Sequence, residues 1–394
     1  MGQEIFLTSL ADNLHMKIII APDSFKGSLS AQDAATSIAE GFADVFPNAE
    51  IVLLPIADGG EGTTETLVAS TSGQLNSVKV TGPLGDAVNA YWGQLGNSKT
   101  AVVEVASVCG LDMLKPSERN PMLTSSYGLG ELILAGLNQG IRHFIVGLGG
   151  SACNDGGAGM LQALGAQLLD AKGDELKKGG ESLNTLKRID ESRLDVRLQN
   201  ACFEVACDVD NPLVGEQGAS AVFGPQKGAD GQMVAKLDAN LTHYAKIIYQ
   251  ATGRDVAMDA GAGAAGGLGA AFLAFLNAEL KSGIDIVLDA LDFESHLENA
   301  DLVITGEGRI DSQSLHGKAP IGVSKRAKKY KCPVFVIAGS VGGDVGLIKV
   351  QGIDAVHSVV SGNITLEEAL AEPSKHLARV SHKAAESWLQ SLDS

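Results

Sequence analysis

The sequence predicts an α/β fold of two domains: a Rossmann-like parallel-sheet domain made from both chain ends, and an inserted second α/β domain with a mixed sheet. Three observations point there. Near both ends, apolar strand-like runs alternate with helical patterns, as in βαβ units. In the middle, short strands are separated by turn signals. Glycine-rich acidic segments begin where apolar strands end, the edge at which open α/β sheets bind ligands.

Taken in order, Lys17 to Ala21 reads as a short buried strand. Ser30, with Asp33 three residues on, opens a helix in a capping-box-like pattern, and Ala35, Ile38, Phe42 and Phe46 follow at helical spacing. Glu50 to Ile56 is the next strand and completes a βαβ unit. After Gly73, the runs Val78–Val80, Ala90–Gln94 and Ala101–Val105 read as antiparallel or mixed sheet, split by Gly82-Pro83, Gly85-Asp86 and Gly96-Asn97. A helix is expected from Ser125 to Leu137, strands at His143–Gly147 and Phe203–Ala206, and helices over Val234–Thr252 and Leu268–Leu280. Parallel texture returns with a strand at Leu302–Thr305, a helix from Pro320 to Lys329, strands at Val334–Ala338 and Val356–Val360, and one terminal helix from Leu366 to Leu389. The partition this implies is 16–72 plus 290–394 for the parallel domain and 73–289 for the insert, with 1–15 an N-terminal extension.

The 394 residues are enough for two cores. A net charge of −17 and an aromatic content of 5 % argue against nucleic acid and against an anionic membrane surface as partners. The charge does not argue against a nucleotide, which arrives with Mg²⁺, a cation that takes carboxylate ligands. The five cysteines include no Cys-x-x-Cys pair, which argues against a disulfide framework or a zinc site and fits a reducing cytoplasm. The first fifteen residues lack a basic n-region and include Asp12, which argues against a signal peptide. The uncharged stretch Ala260–Ala278 is too rich in glycine and alanine for a membrane span, and reads as a glycine loop entering a buried helix.

Several loops carry candidate chemistry. Asp23, Ser24, Lys26 and Ser28 offer a carboxylate, hydroxyls and a cation before a helix, a set that suits phosphate oxygens; a surface turn with a capping serine has the same pattern. Asp58, Gly59, Gly60 and Glu61 set glycines beside two carboxylates, where a charged flexible turn is the alternative. Gly147 to Gly157 joins a strand to a helix, and Gly149, Gly150, Ser151, Asn154, Asp155 and Gly156 within it could cradle phosphates or a polar substrate. Gly147, Gly149 and Ala152 also match G-x-G-x-x-G/A, with Asp170 about 20 residues on, which keeps an NAD(P)-dependent oxidoreductase of a small hydroxy acid open. No Walker A sequence occurs, so a P-loop kinase is excluded.

Asp208, Asp210 and Asn211 follow another strand. Asp208, at the strand end, is a candidate general base or Mg²⁺ ligand, against the alternative of an Asp-Asn-Pro turn. Lys227 is flanked by Gly224 and Gly228. Glu307, Arg309 and Asp311, with Lys318 close behind, add two carboxylates and cations; Arg309 could clamp a substrate carboxylate or stabilise a transferring phosphoryl group, with a solvated charged turn as the alternative. No histidine has metal-ligand spacing and no Gly-x-Ser-x-Gly elbow occurs, so zinc chemistry and hydrolase triads gain no support. A non-catalytic binding protein for small acids is the remaining class.

As an ordered set, these segments resemble the glycerate kinase family of the bacterial type. The matching stretches are PDSFKGSLSA at 22–31, PIADGGEGT at 55–63, GLGGSACNDGGAGM at 147–160, ACDVDNPLVG at 206–215, AVFGPQKGA at 221–229, GAGAAGGLGA at 261–270 and ITGEGRIDSQSLHGKAPIGV at 304–323. The resemblance runs from Met16 to the last helix and departs at Cys153, where the family pattern often has threonine. It implies ATP and Mg²⁺ as cofactors, D-glycerate as substrate, a phosphoglycerate product with 2-phosphoglycerate favoured, and a site in the cleft between two α/β domains. The expected reaction is direct in-line transfer. Asp208, Lys26 and Arg309 are then the catalytic set, Asp208 and Glu307 the metal side, and the other loop residues hold glycerate and ATP. A homo-oligomer is left open.

Overall fold

The chain begins with β1 (Lys17–Pro22), the helix Ala31–Ala43 and β2 (Glu50–Leu53). It continues through β3 (Gln74–Thr81), β4 (Ala87–Gln94), β5 (Thr100–Glu104) and β6 (His143–Gly147). A small pair, β7 (Gln167–Leu169) and β8 (Arg188–Asp190), precedes β9 (Cys202–Ala206) and β10 (Glu279–Lys281). The last strands are β11 (Leu302–Ile310), β12 (Val334–Val341) and β13 (Ala355–Ser358). These come from a computed structural model that describes residues 15–96, 98–311, 319–342, 351–361 and 364–392. The chain divides into two units, one formed by residues up to Asp58 and from Val287 onward, the other by Gly59–Ile286.

The first unit is a five-stranded, all-parallel sheet in the order β13-β12-β11-β1-β2. Ile18 and Ile20 of β1 and Leu302 and Ile304 of β11 pack on one face with Phe42 and Trp388, whereas Ile19 and Val303, equally buried, turn to the other. Ser30 caps the helix Ala31–Ala43 by accepting the Asp33 N–H at 3.1 Å. That helix runs tight against the C-terminal helix: a Cβ on Gly41 would lie 2.3 Å from the Ala378 carbonyl oxygen. From β1, the winding proceeds to β2 on one side and to β11 on the other. The carboxyl ends of β1 and β11 therefore flank a topological switch point, the crevice where open α/β sheets bind ligands.

The second unit is a six-stranded mixed sheet in the order β10-β9-β6-β5-β4-β3. Its first four strands are parallel, and β4 and β3 run antiparallel. Phe144, Phe203 and Phe272 stack through its core, with centroids 5.2 and 5.9 Å apart. The pairing register aligns Glu104, Gly147, Ala206 and Lys281 in one row across the four parallel strands. The loops that follow these residues thus leave the sheet at one edge.

Four expectations are corrected. The helix Thr63–Ser70 packs on β4, where a Cβ on Gly93 would meet Val68 and Thr64, so the first unit ends at Asp58 and not at residue 72. The strand expected to stop at Thr305 continues to Ile310, because Gly306 to Arg309 pair with β12. A Cβ on Gly306 would sit 2.0 Å from the Ile337 carbonyl oxygen, so this glycine serves close strand approach and not a turn. The helix expected to reach Leu280 ends at Phe275; Asn277 turns the chain at φ 47°, and residues 279–281 join the sheet as β10. The terminal helix is two, Leu366–Ala371 and Pro373–Leu392, parted before a proline that has no N–H to donate. Among the described residues no helix is long and apolar enough to cross a membrane.

Candidate active site

At the switch point of the first unit, Asp23 follows β1 and Glu307 lies on β11, with Asp58 at the end of the segment after β2. The Asp23 N–H donates to the Gly306 carbonyl at 2.8 Å, which extends the β1–β11 pairing and brings Asp23 level with Glu307. Burial pushes the Asp23 carboxyl up to about 7, and the negative charges of Asp58 and then Glu307 add to this, against a hydrogen bond from the Ser24 N–H at 2.6 Å. Glu307 is 8 % exposed.

Lys26 is exposed at the tip of a tight turn. Phe25 and Leu29 pair backbone to backbone, and Gly27 takes φ +82°. The Ser28 hydroxyl donates to the Phe25 carbonyl at 2.9 Å, so it fastens this turn. Gly308 lets the turn lie on β11: a Cβ there would be 3.2 Å from the Lys26 nitrogen. Arg309 is largely exposed, with its Nε 3.3 Å from Asp311. Lys318 lies outside the described residues.

In the second unit the loops after β5, β6, β9 and β10 share one edge. Gly59 enters it at φ +85°, and a Cβ there would lie 2.6 Å from Ala206 and 2.9 Å from Gly283. The Gly60 carbonyl accepts the Thr63 hydroxyl at 2.7 Å, and Glu61 is exposed. Glu104, 4 % exposed, accepts the N–H groups of Thr64 at 2.6 Å and Gly62 at 3.3 Å, and so caps the helix Thr63–Ser70. Its carboxyl is raised, chiefly by burial.

Gly149 and Gly150 are exposed at the tip of the loop after β6, and Ser151 is 8 % exposed. Asn154, Asp155 and Gly156 lie inside it. Asp155 accepts from the Ser126 N–H at 2.8 Å, the Ser126 hydroxyl at 3.0 Å and the Gly157 N–H at 3.1 Å, while Asn154 donates to the Ser220 hydroxyl at 2.9 Å. Gly156 donates to the Gly266 carbonyl at 2.9 Å, which locks two glycine loops together. Asn211 donates through its side chain to the Gln217 carbonyl at 2.8 Å, bracing the turn after Asp208. Asp208 itself is exposed, and its Oδ1 accepts the Gly283 N–H at 3.0 Å. Lys227, read from sequence as a ligand contact, is 2 % exposed and lies beneath the loop after β6.

The model of the glycerate kinase family matches residues 18–389. The chain belongs to the glycerate kinase family. It is 56 % identical over 370 residues to a protein of Escherichia coli K12 named glycerate 2-kinase, covering 94 % of this chain and 97 % of that one. It is 54 % identical to the Bacillus subtilis glycerate kinase, with 94 % and 97 % covered. A crystal structure from Salmonella typhimurium LT2, described as glycerate kinase 2, superposes with a TM-score of 0.89 at 51 % identity, over 97 % of this chain and 100 % of that one.

The reading of Gly147–Ala152 as a dinucleotide fingerprint gains no support from the family match or from the local structure. The following helix does not begin until Ala158. Asp170 does not end a neighbouring parallel strand: it follows β7, which pairs antiparallel with β8, and accepts N–H groups of Lys172 at 2.8 Å and Asp174 at 3.0 Å in a local turn. Sequence reasoning missed Glu104 altogether. The signal was an acidic residue closing the buried run Thr100–Glu104, at the strand edge where the other loops converge.

Among the described residues, no group of three or more His, Cys, Asp or Glu is arranged to hold a metal ion. Mg²⁺ needs only one or two carboxylates when phosphate oxygens and water complete its shell. The Asp23–Glu307 pair fits that demand: it offers hard oxygen donors where burial, then the charges of Asp58 and Glu307, raise Asp23 to about 7, and a divalent cation would favour its charged form.

Proposed function

We propose that this chain is an ATP-dependent glycerate kinase that converts D-glycerate to phosphoglycerate, with 2-phosphoglycerate the favoured product. The observation that carries this reading is the 56 % identity, over nearly the full length of both chains, to a protein named glycerate 2-kinase.

Asp208 orients the glycerate hydroxyl and takes its proton, a role supported by its fixed place at the end of β9. Lys26 and Arg309, both exposed beside the switch point, offset charge on the transferring phosphoryl group. Glu307, expected from sequence on the metal side, would hold Mg²⁺ together with Asp23, which lies level with it and here takes the place that the sequence reading gave to Asp208; when bound, the ion supplies neutralisation of the phosphate charge. The exposed backbone of Gly149 and Gly150 approaches an anionic group of ATP or glycerate. All five cysteines are free, which supports a reducing cytoplasm as the compartment.

The test is a coupled ADP assay. The purified chain with ATP and Mg²⁺ should release ADP only when D-glycerate is present. Reduction of NAD(P)⁺ by glycerate without ADP release would overturn the reading.

A further inference from the structure

Lys227 ends the short turn Pro225–Lys227, and Gly228 follows it at φ +95°, where a Cβ would lie 2.4 Å from the Arg119 carbonyl oxygen. The turn drives the lysine inward. Its Nζ donates to the Ser151 hydroxyl at 3.1 Å and to the Cys153 carbonyl at 2.7 Å. Both acceptors belong to the loop after β6, and neither carries a charge.

Burying an ammonium costs several kcal/mol unless a countercharge compensates it. Burial lowers Lys227 below the ordinary lysine range, and the buried Asp155 carboxylate offsets this only in part, its oxygens being taken by Ser126, Gly157 and Gly159. A neutral side chain would fasten the loop at lower cost. A buried cation is useful here if an anion binds above it. Ser151 is the outermost of the three partners, 8 % exposed against 2 % for Lys227 and 0 % for Cys153. A hydroxyl that accepts from an ammonium keeps its own proton to donate, directed away from the donor.

We propose that Lys227 is a positioning residue for the reaction: it never touches the ligand, but orients the Ser151 hydroxyl towards a phosphate or carboxylate oxygen bound at Gly149–Ser151 and sets a positive charge beneath that oxygen. This rests on the reading of the loop after β6 as an anion cradle. The affected substrate tells the source of the anion, a phosphate of ATP or the carboxylate of glycerate.

The test compares Ser151→Ala, Lys227→Met and the double variant, with KM measured for each substrate and melting temperature as the control. Each single variant should raise KM for the same one of the two substrates by about tenfold or more, with kcat changed less than about threefold. The double variant should be no worse than about twofold beyond the weaker-binding single, because both break one chain of contacts. Lys227→Gln keeps a donor but not the charge, and should fall between wild type and Lys227→Met; it gives the same reading if Lys227→Met does not fold. A Lys227 variant that shifts only the melting temperature, or single effects that multiply in the double, overturns the proposal. If Ser151→Ala leaves both KM values unchanged, the anion-cradle reading itself is overturned, and the proposal with it.

Discussion

Asp208 Oδ1 accepts the backbone N–H of Gly283 at 3.0 Å, so the carboxylate at the end of β9 also caps the helix Gly283–Ala290. Cap and chemistry can be separated. Asp208→Asn retains an oxygen acceptor and should leave stability nearly unchanged, while kcat falls by about 10²–10⁴ if the group takes the hydroxyl proton. Asp208→Ala loses the acceptor too, and should cost about 1 kcal/mol in addition. Urea unfolding and steady-state kinetics on both variants check this. An Asp208→Asn enzyme with near-normal kcat and an unchanged pH profile would remove the base assignment.

The raised Asp23 carboxyl makes stability depend on pH. Its folded value is about 7 against an ordinary 3.8. Between these values the folded state holds a proton that the unfolded chain has released. This group's contribution is therefore full below 3.8 and is lost as pH rises towards 7. Asp23→Asn should flatten that part of the melting-temperature profile. Glu307→Gln should lower the Asp23 titration midpoint, read by carbon NMR of the carboxyl. A midpoint that Glu307→Gln leaves in place would refute the coupling.

Glu104 should matter more to folding than its single charge suggests. Glu104→Ala leaves the buried Thr64 N–H and the half-buried Gly62 N–H without their acceptor, a loss of about 2–6 kcal/mol at about 1–3 kcal/mol per unmet partner. Glu104→Gln retains one acceptor and should lose less. Equal stability of the two variants by urea unfolding would contradict the capping role.

Gly59 should not tolerate alanine. Its φ of +85° costs an alanine about 1–2 kcal/mol, and the Cβ overlaps with Ala206 and Gly283 add about 1–3 kcal/mol. Gly62 shares the positive φ but has open space around a Cβ, so Gly62→Ala should pay only the backbone part. Thermal unfolding of the pair separates strain from clash.

Much of this was legible in the sequence because local chemistry and fold agree. The β1–helix–β2 unit announces itself by an apolar run, the Ser30 cap and helical spacing. Asp23, Asp58 and Asp208 stand out in the sequence as candidates because each follows a strand or its extension, and the structure places them there. Gly306 and Gly308 misled, since glycine signals a turn and a close backbone approach alike, and here it permits β11 to run on beneath Ile337 and Phe25. Glu104 was hidden because it caps a helix forty residues earlier in the chain, a pairing no local pattern encodes. Lys227 reads from its glycine flanks as a ligand contact, while its burial depends on a contact 76 residues away that no local pattern encodes.

Phosphorus NMR of the product formed from ATP, Mg²⁺ and D-glycerate tests the central claim most directly. The account predicts a new phosphomonoester resonance matching 2-phosphoglycerate, growing in step with ADP. Consumption of ATP to ADP and inorganic phosphate alone, or no glycerate-dependent signal at all, would contradict it.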